Sequence, residues 1–477
     1  MDIFKKSFPL WLLGAMQVGK LYASDSQTTV PNIIFIMADD LGWNDLGVMG
    51  SDYYETPNID KLASEGMLFT DAYSAAANSA PSRACFMSGM YTPRHGVFTV
   101  SPSARGDKTK RKLVPIENIE DLSADFVTFA EALKSKGYVC ASIGKWHLGD
   151  DCDGTGPLSQ GFDVNIAGCR AGTPYSYFYP YCSKKKNACM PGLSDGREGE
   201  YLTDRLTDEA VDFLKSRKDA DKPFMLYMAH HAVHTPLKAP ADVILKYKNK
   251  TKGHFHRNPV YAAMIECLDN SVGRICSVVD SLGMGDNTII VFTSDNGGSE
   301  PVTDNFMLRG GKGMPYEGGS RVPLIVKWPE VIRQGTKCKT PVINIDFYPT
   351  FMSVAGVEKY ANLDGKDLTP LFRGLDIDTD RDLFWHFPAY LESYRGSGKD
   401  FRATPYSTIR SGDWKLIYFY ESKSCELYNL SADIKEQNDL SAEYPKKKEE
   451  LLKKLNEWLA ETNAPQPEKK NPFYLNR

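Results

Sequence analysis

Five stretches of this chain are apolar almost without interruption, and each runs into polar residues. They are NIIFIMADD (Asn32 to Asp40), YVCASIG (Tyr138 to Gly144), FMLYMAHH (Phe224 to His231), TIIVFTSDNGG (Thr288 to Gly298) and VPLIVKW (Val322 to Trp328). A strand with one face in water alternates apolar and polar residues, so runs without alternation predict strands covered on both faces. Helical spacing fills the gaps. Phe126, Phe129, Ala130 and Leu133 recur at one-turn intervals, and Tyr261, Met264, Leu268, Val272, Ile275, Val279 and Leu282 keep one face of a long helix that stops before Gly283. Strands alternating with helices predict an α/β fold, a mostly parallel sheet sandwiched by helices.

The pattern changes after about residue 375. YSTIRSGDWKLIYFY and CELYNL are aromatic and β-branched around turn residues, which predicts a small antiparallel sheet. Leu451, Leu455 and Leu459 then mark a closing amphipathic helix. The expected organisation is an α/β domain over residues 30–375 and a smaller α+β subdomain over 376–477. At the other end, Lys5 and Lys6 precede an apolar run from Phe8 to Met16, with small residues around Ala23. That is the layout of a cleaved signal peptide, residues 1–23, and the run is too short to anchor the chain stably in a membrane.

A net charge of −4 over 477 residues, with only short basic clusters at Lys108 to Lys112, Lys184 to Lys186 and Lys446 to Lys448, gives no footprint for nucleic acid. Of ten cysteines, Cys152, Cys169, Cys182 and Cys189 fall in one Gly- and Tyr-rich region where a bridge could staple a long loop. No pair has zinc-finger spacing.

In an open parallel sheet, ligands bind beyond the carboxyl ends of the strands. The polar residues of interest follow the runs there: Asp39 and Asp40, Lys145 and His147, His230, His231 and His234, and Asp295 with Asn296. One Asp pair after a strand is usually a turn or a cap. Two such pairs, each closing a buried strand, suggest convergence on one hard cation. Three carboxylates and one amide carbonyl, without cysteine, suit Ca²⁺ or Mg²⁺ better than zinc. Separately, in NSAPSRACFMSGM (Asn78 to Met90), Pro81 suits a first helical turn that Ser79 can cap, with Arg83 one turn on along the same face. A helix N-terminus there favours an anion.

SAPSRACFMSGM resembles the sulfatase signature, in which a Cys or Ser is followed by x-Pro-Ser-Arg. GKWHLG (Gly144 to Gly149), HAVHTPL (His231 to Leu237), TSDNGG (Thr293 to Gly298) and RGGKGMPYEGGSRVPLIV (Arg309 to Val326) resemble later sulfatase blocks in family order. The resemblance spans about residues 31–460 and implies the alkaline-phosphatase-like fold with a smaller C-terminal sheet domain. It implies that Ser79 is oxidised after translation to Cα-formylglycine, whose hydrated gem-diol is the nucleophile. A serine at this position implies a serine-type sulfatase-maturating enzyme and hence a bacterial, periplasmic protein. The resemblance assigns Asp39, Asp40, Asp295 and Asn296, with Ser79 facing them, to a metal ion, usually Ca²⁺ and less often Mg²⁺. It makes Asp295 the proton acceptor, and Arg83, Lys145 and Lys312 the cations that hold nucleophile and sulfate. His147 would assist hemiacetal collapse, and His234, with Lys312 nearby, would protonate the leaving alcohol.

The alcohol itself would be read by variable, aromatic-rich segments, Asn165 to Cys182 and Phe384 to Gly396, with Arg170 and His386 as candidate sugar contacts beside His234 and Lys312. No hydrophobic hairpin suggests a lipid substrate. The expected activity is exo-type sulfate removal from a galactose or N-acetylhexosamine of mucin or glycosaminoglycan. Two alternatives are a phosphatase or phosphonate-ester hydrolase of the same superfamily, and a non-catalytic glycan-binding protein with unmodified Ser79.

Overall fold

The computed structural model of the chain describes residues 30–357, 363–375 and 381–475. The expected signal peptide lies outside the described residues. All five apolar runs enter one eight-stranded sheet. From edge to edge its strands are Thr336–Cys338, Met67–Phe69, Leu324–Lys327, Thr288–Ser294, Asn32–Ala38, Phe224–Ala229, Val139–Gly144 and Val164–Ile166. Only Leu324–Lys327 runs antiparallel to its neighbours; the other pairings are parallel.

The runs lack alternation because both faces of the sheet are covered. Ile34, Ile36 and Ala38 pack with Leu226, Met228 and residues of the helices Leu202–Arg217 and Pro259–Ser281. Ile33, Phe35 and Met37 face the opposite core, with Ala84, Phe86, Phe129 and Phe351. Full burial of each such large side chain contributes about 1.5–3 kcal/mol. The long helix starts at Pro259, with Asn258 Oδ1 accepting from the amides of Val260 and Tyr261. The periodicity around Phe126 overshoots the real helix, Phe129–Lys134. There Thr128 and Glu131 form a reciprocal capping box that fixes the start beyond Phe126.

Strand register positions the site. Ala38 pairs with Ser294, Met37 with Ala229, and Ala229 with Gly144. The residues that follow, Asp39, Asp295, Lys145 and His230, therefore leave the sheet along one carboxyl edge. Gly144 turns there with φ 107°, and a Cβ on it would stand 1.9 Å from the Ala229 carbonyl oxygen, so only glycine fits.

The C-terminal part forms an antiparallel sheet of Asp382–Phe387, Tyr406–Ser411, Trp414–Phe419 and Ser424–Asn429. The helix Pro445–Glu461 closes it through Leu451, Leu455, Trp458 and Leu459. This core also includes Tyr73, Cys85 and Ile343 of the larger unit. Cys182 and Cys189 are bridged across two short strands, whereas Cys152 and Cys169 are not bridged.

A buried charge cluster joins the two parts. Lys415 Nζ lies 2.9 Å from Glu317 Oε1 and 2.8 Å from Glu436 Oε1. Glu317 also accepts from Tyr73 Oη at 2.6 Å and pairs with Arg321 at 3.2 Å. Removing one member of a buried ion pair leaves an uncompensated charge, which costs about 3–5 kcal/mol. Lys415→Met is therefore expected to lower stability by about that amount in chemical denaturation. An unchanged unfolding midpoint would show that the cluster does not hold the parts together.

Candidate active site

The helix Ser79–Ser88 is buried along its whole length. Ser79 is its first residue, and Asn78, not Ser79, occupies the capping position. The Ser79 hydroxyl is turned away from the helix. Its Oγ lies 3.1 Å from both Asp39 Oδ1 and Asn296 Oδ1, so its one proton is shared between two acceptors. Asp40 has φ 63°, a left-handed turn that breaks strand alternation directly after Asp39.

Arg83, one turn after Ser79, fastens the helix to the sheet edge. Its Nε and Nη2 lie 2.9 and 2.8 Å from Asp295 Oδ2, and Nη1 donates to the Lys145 carbonyl and the Tyr227 hydroxyl. Lys145 Nζ donates to Asp39 Oδ2 at 2.6 Å. Lys312 Nζ lies 2.6 Å from Asp40 Oδ1 and 2.9 Å from Oδ2. Asn296 Nδ2 donates to Asp40 Oδ1 at 2.9 Å, leaving its carbonyl oxygen toward Ser79. Each carboxylate thus has its own cation. Asp39, Ser79, Arg83, Lys145, Asp295 and Asn296 all have 0% exposure.

Burial sets the protonation of the cluster. It pushes the Asp295 carboxyl up, and the Asp39 charge pushes the same way against Arg83. For Asp40 burial also acts upward, but Lys312, His234 and Lys145 outweigh it and hold the carboxyl well below its usual range. Burial opposes the Lys312 charge, yet Asp40, Asp39 and Asp295 keep it above the ordinary lysine value. Burial lowers Lys145, only partly offset by Asp39. His234 is brought down to about 4 by burial and by Lys312. Its Nδ1 donates to the Thr235 carbonyl at 2.6 Å, and Nε2 lies 3.5 Å from Asp40 Oδ2. Burial and then Lys145 hold His147 far below its usual value.

Asp40, His147, His234 and Lys312 line one cavity of about 370 Å³. Its other walls include Arg105, Tyr394 and Arg402, which sequence reasoning missed. They have no common spacing. The Ala104↔Tyr390 bridge and the strand pair Leu391–Glu392 with Phe401–Ala403 bring them together only in the fold. A potential metal cluster is also present, since Asp39, Asp40 and His234 offer ligand atoms within 4.8 Å of one another.

Two expected sugar contacts lie away from the cavity. His386 is 3% exposed, with Nδ1 at 2.8 Å from Ser407 Oγ and Nε2 at 3.0 Å from the Pro465 carbonyl, so its ring is spent inside the small subdomain. Arg170 is exposed, but its guanidinium is held by Asp121 and Asp153 at 2.6 and 2.8 Å and does not line the cavity. His230 is bonded to Ser271, and His95 packs on Cys85.

A mostly parallel sheet that gathers a buried serine, three carboxylates and three cations at its carboxyl edge makes a class of site suited to an anionic ester. Comparison with known proteins narrows this class. The Sulfatase family model matches residues 31–357, and a model for the N-sulphoglucosamine sulphohydrolase C-terminal region matches residues 311–465. A sulfatase of Formosa agariphila is 36% identical over 96% of this chain and 95% of its own. The N-acetylgalactosamine-6-sulfatase of Canis lupus familiaris is 34% identical over 75% of this chain and 68% of its own. The crystal structure of Ps i-CgsB in complex with k-i-k-neocarrahexaose is 31% identical with a TM-score of 0.77, covering 92% of this chain and 94% of that one. The chain belongs to the sulfatase family and is a sulfuric ester hydrolase.

Gly172 touches the His147 ring: a Cβ on it would stand 2.4 Å from Nε2. Gly172→Ala must push the imidazole aside while leaving the backbone in place. Sulfate release is expected to fall roughly 10- to 100-fold in kcat/KM with little change in Tm, because misplacement of about 1 Å costs on that order. A wild-type rate would show that the ring position does not matter.

Proposed function

We propose that the protein hydrolyses sulfate monoesters on carbohydrates, acting on a terminal galactose or N-acetylhexosamine of mucin or a glycosaminoglycan, in the periplasm. The observation that carries this reading is the Ser79 hydroxyl held between Asp39 and Asn296 and surrounded by Arg83, Lys145 and Lys312. The sugar class is supported by a relative named for N-acetylgalactosamine-6-sulfate and a structural neighbour holding an oligosaccharide. Among the described residues, no helix is long and apolar enough to cross a membrane.

The donor set suits a hard divalent cation: Asp39 and Asn296 present oxygens at Ser79, and Asp39 and Asp40 cluster with His234, without thiolate. Asp39, Asp40, Asp295 and Asn296 would hold Ca²⁺, or less favourably Mg²⁺, which when bound offsets charge on sulfate oxygens and acidifies the nucleophile. Oxidation of Ser79 by a serine-type maturating enzyme removes two hydrogens and supplies Cα-formylglycine, whose hydrate offers one hydroxyl for attack and a second for sulfate release.

The remaining work falls to this chain's own side chains. Asp295, fixed at the sheet edge by Arg83, takes the proton of the attacking hydroxyl. Arg83 keeps that carboxylate oriented through two contacts. Lys145 and Lys312 supply fixed positive charge where the sulfate oxygens gather negative charge. His147, kept neutral by burial, accepts the proton when sulfate leaves. His234, which lines the cavity with its Nε2 3.5 Å from Asp40 Oδ2, delivers a proton to the leaving sugar oxygen. Burial and then Lys312 hold its pKa down, and the charge of an anionic ester acts in the opposite direction.

Asp295→Asn keeps the shape and removes the base, so kcat is expected to fall by about 10²–10⁴-fold. Near-normal turnover would reject its assigned role. Substrate class is tested by sulfate release from a panel of defined sulfated mono- and disaccharides, with phosphate esters alongside. Release from terminal sulfated sugars is the expected result. Turnover of phosphate esters alone would replace this reading.

A further inference from the structure

The cavity that holds the proposed sulfate machinery carries a cation that the chemistry above does not use. The charged side chains lining it are Asp40, Arg105, Lys312 and Arg402. Lys312 neutralises Asp40, and Arg105 is paired with Glu392. The Arg402 guanidinium makes no ion pair or hydrogen bond within the described residues; the Glu392 and Glu300 carboxylates feel its charge without bonding it, and its Nε is buried without a partner. A guanidinium with a buried, unsatisfied N–H is costly unless a ligand completes it.

Arg402 is nevertheless held in place. It belongs to the strand Phe401–Ala403, which pairs with Leu391–Glu392, so its backbone is not a free loop. Its guanidinium lies over the Tyr394 ring, 4.6 Å from the centroid. Tyr394 Oη lies 3.4 Å from the carbonyl of Lys312, which ties this platform to the segment bearing the sulfate-binding lysine. A planar fork, fixed on an aromatic face and hydrogen-bonded to neither neighbouring carboxylate, suits a bidentate oxyanion.

We propose that Arg402, stacked on Tyr394, forms a second anionic subsite that binds a further sulfate or carboxylate on the substrate, beyond the ester that is cleaved. The proposal rests on the sulfated-sugar reading and deepens it. The preferred substrate is then a sugar with at least two negative groups, one at Lys312 and His234 and one at Arg402. The two sources of that second charge are a second sulfate on the same ring and the carboxylate of a neighbouring uronic acid.

The test is equilibrium binding by calorimetry, which needs no turnover. The probes are N-acetylgalactosamine with one sulfate, the same sugar with two, and the monosulfated sugar linked to glucuronic acid. A charge-assisted bidentate contact is expected to favour one or both dianionic probes by roughly 10- to 100-fold. In Arg402→Gln the ratio of dianionic to monosulfated affinity is expected to collapse toward one. Arg402→Lys, which keeps the charge and loses the fork, should fall between. Because the ratio is read within each variant, a general loss of folded protein does not mimic the effect. Equal affinities for all three probes in the wild type, or an undiminished ratio in Arg402→Gln, would overturn the proposal. Which dianionic probe binds better identifies the source of the charge. Failure of the sulfatase chemistry would show instead as absent sulfate release, with the binding preference still measurable.

Discussion

The site depends on one buried ion pair, Arg83 with Asp295. Neither side chain touches water, and desolvating two charges costs several kcal/mol for each. Such a pair persists only when its geometry and remaining hydrogen bonds are satisfied. Here Arg83 Nε donates to Asp295 Oδ2, Nη2 lies 2.8 Å from the same oxygen as an ion-pair contact, and Nη1 donates to the Lys145 carbonyl and Tyr227. The pair clamps the helix Ser79–Ser88 onto the end of Thr288–Ser294, and that clamp holds the Ser79 hydroxyl 3.1 Å from Asp39 and Asn296. The reactive position is thus set jointly by a helix start and two strand ends.

The same economy governs the charges around it. Asp39, Asp40 and Asp295 meet Lys145, Lys312 and Arg83 one to one. A divalent cation added to this balanced set would give it the positive excess that an anionic ester needs. Burial depresses both histidines facing the cavity, so neither imidazole is a permanent charge. Farther out, the Glu317, Lys415 and Glu436 cluster ties the C-terminal sheet to the segment that carries Lys312.

The strands and the inner site were readable in sequence for a common reason. Each of Asp39, Asp40, Lys145, Asp295 and Asn296 directly follows a run that two covered faces force to be apolar, so position along the chain gives position at the sheet edge. Ser79 and Arg83 were singled out by the family resemblance; the local pattern alone suggested a helix cap at Ser79, a position that Asn78 occupies. The outer wall was not readable. Arg105, Tyr394 and Arg402 meet through a single bridge and a short strand pair far apart in sequence. The placement of His386 was not legible because it sits between Trp385 and Phe387 in a strand that is mostly buried, so the pattern does not say which way the ring points. Arg170 misled because Asp121, distant in sequence, captures its guanidinium.

The central claim is that the encoded serine at position 79 is a precursor, placed by the clamp for conversion and not used as a plain hydroxyl. Peptide mass spectrometry of the protein purified from its own host tests this most directly. The account predicts a Ser79 peptide about two mass units lighter than encoded, as loss of two hydrogens requires, in active enzyme. Fully active protein carrying only unmodified serine would contradict it.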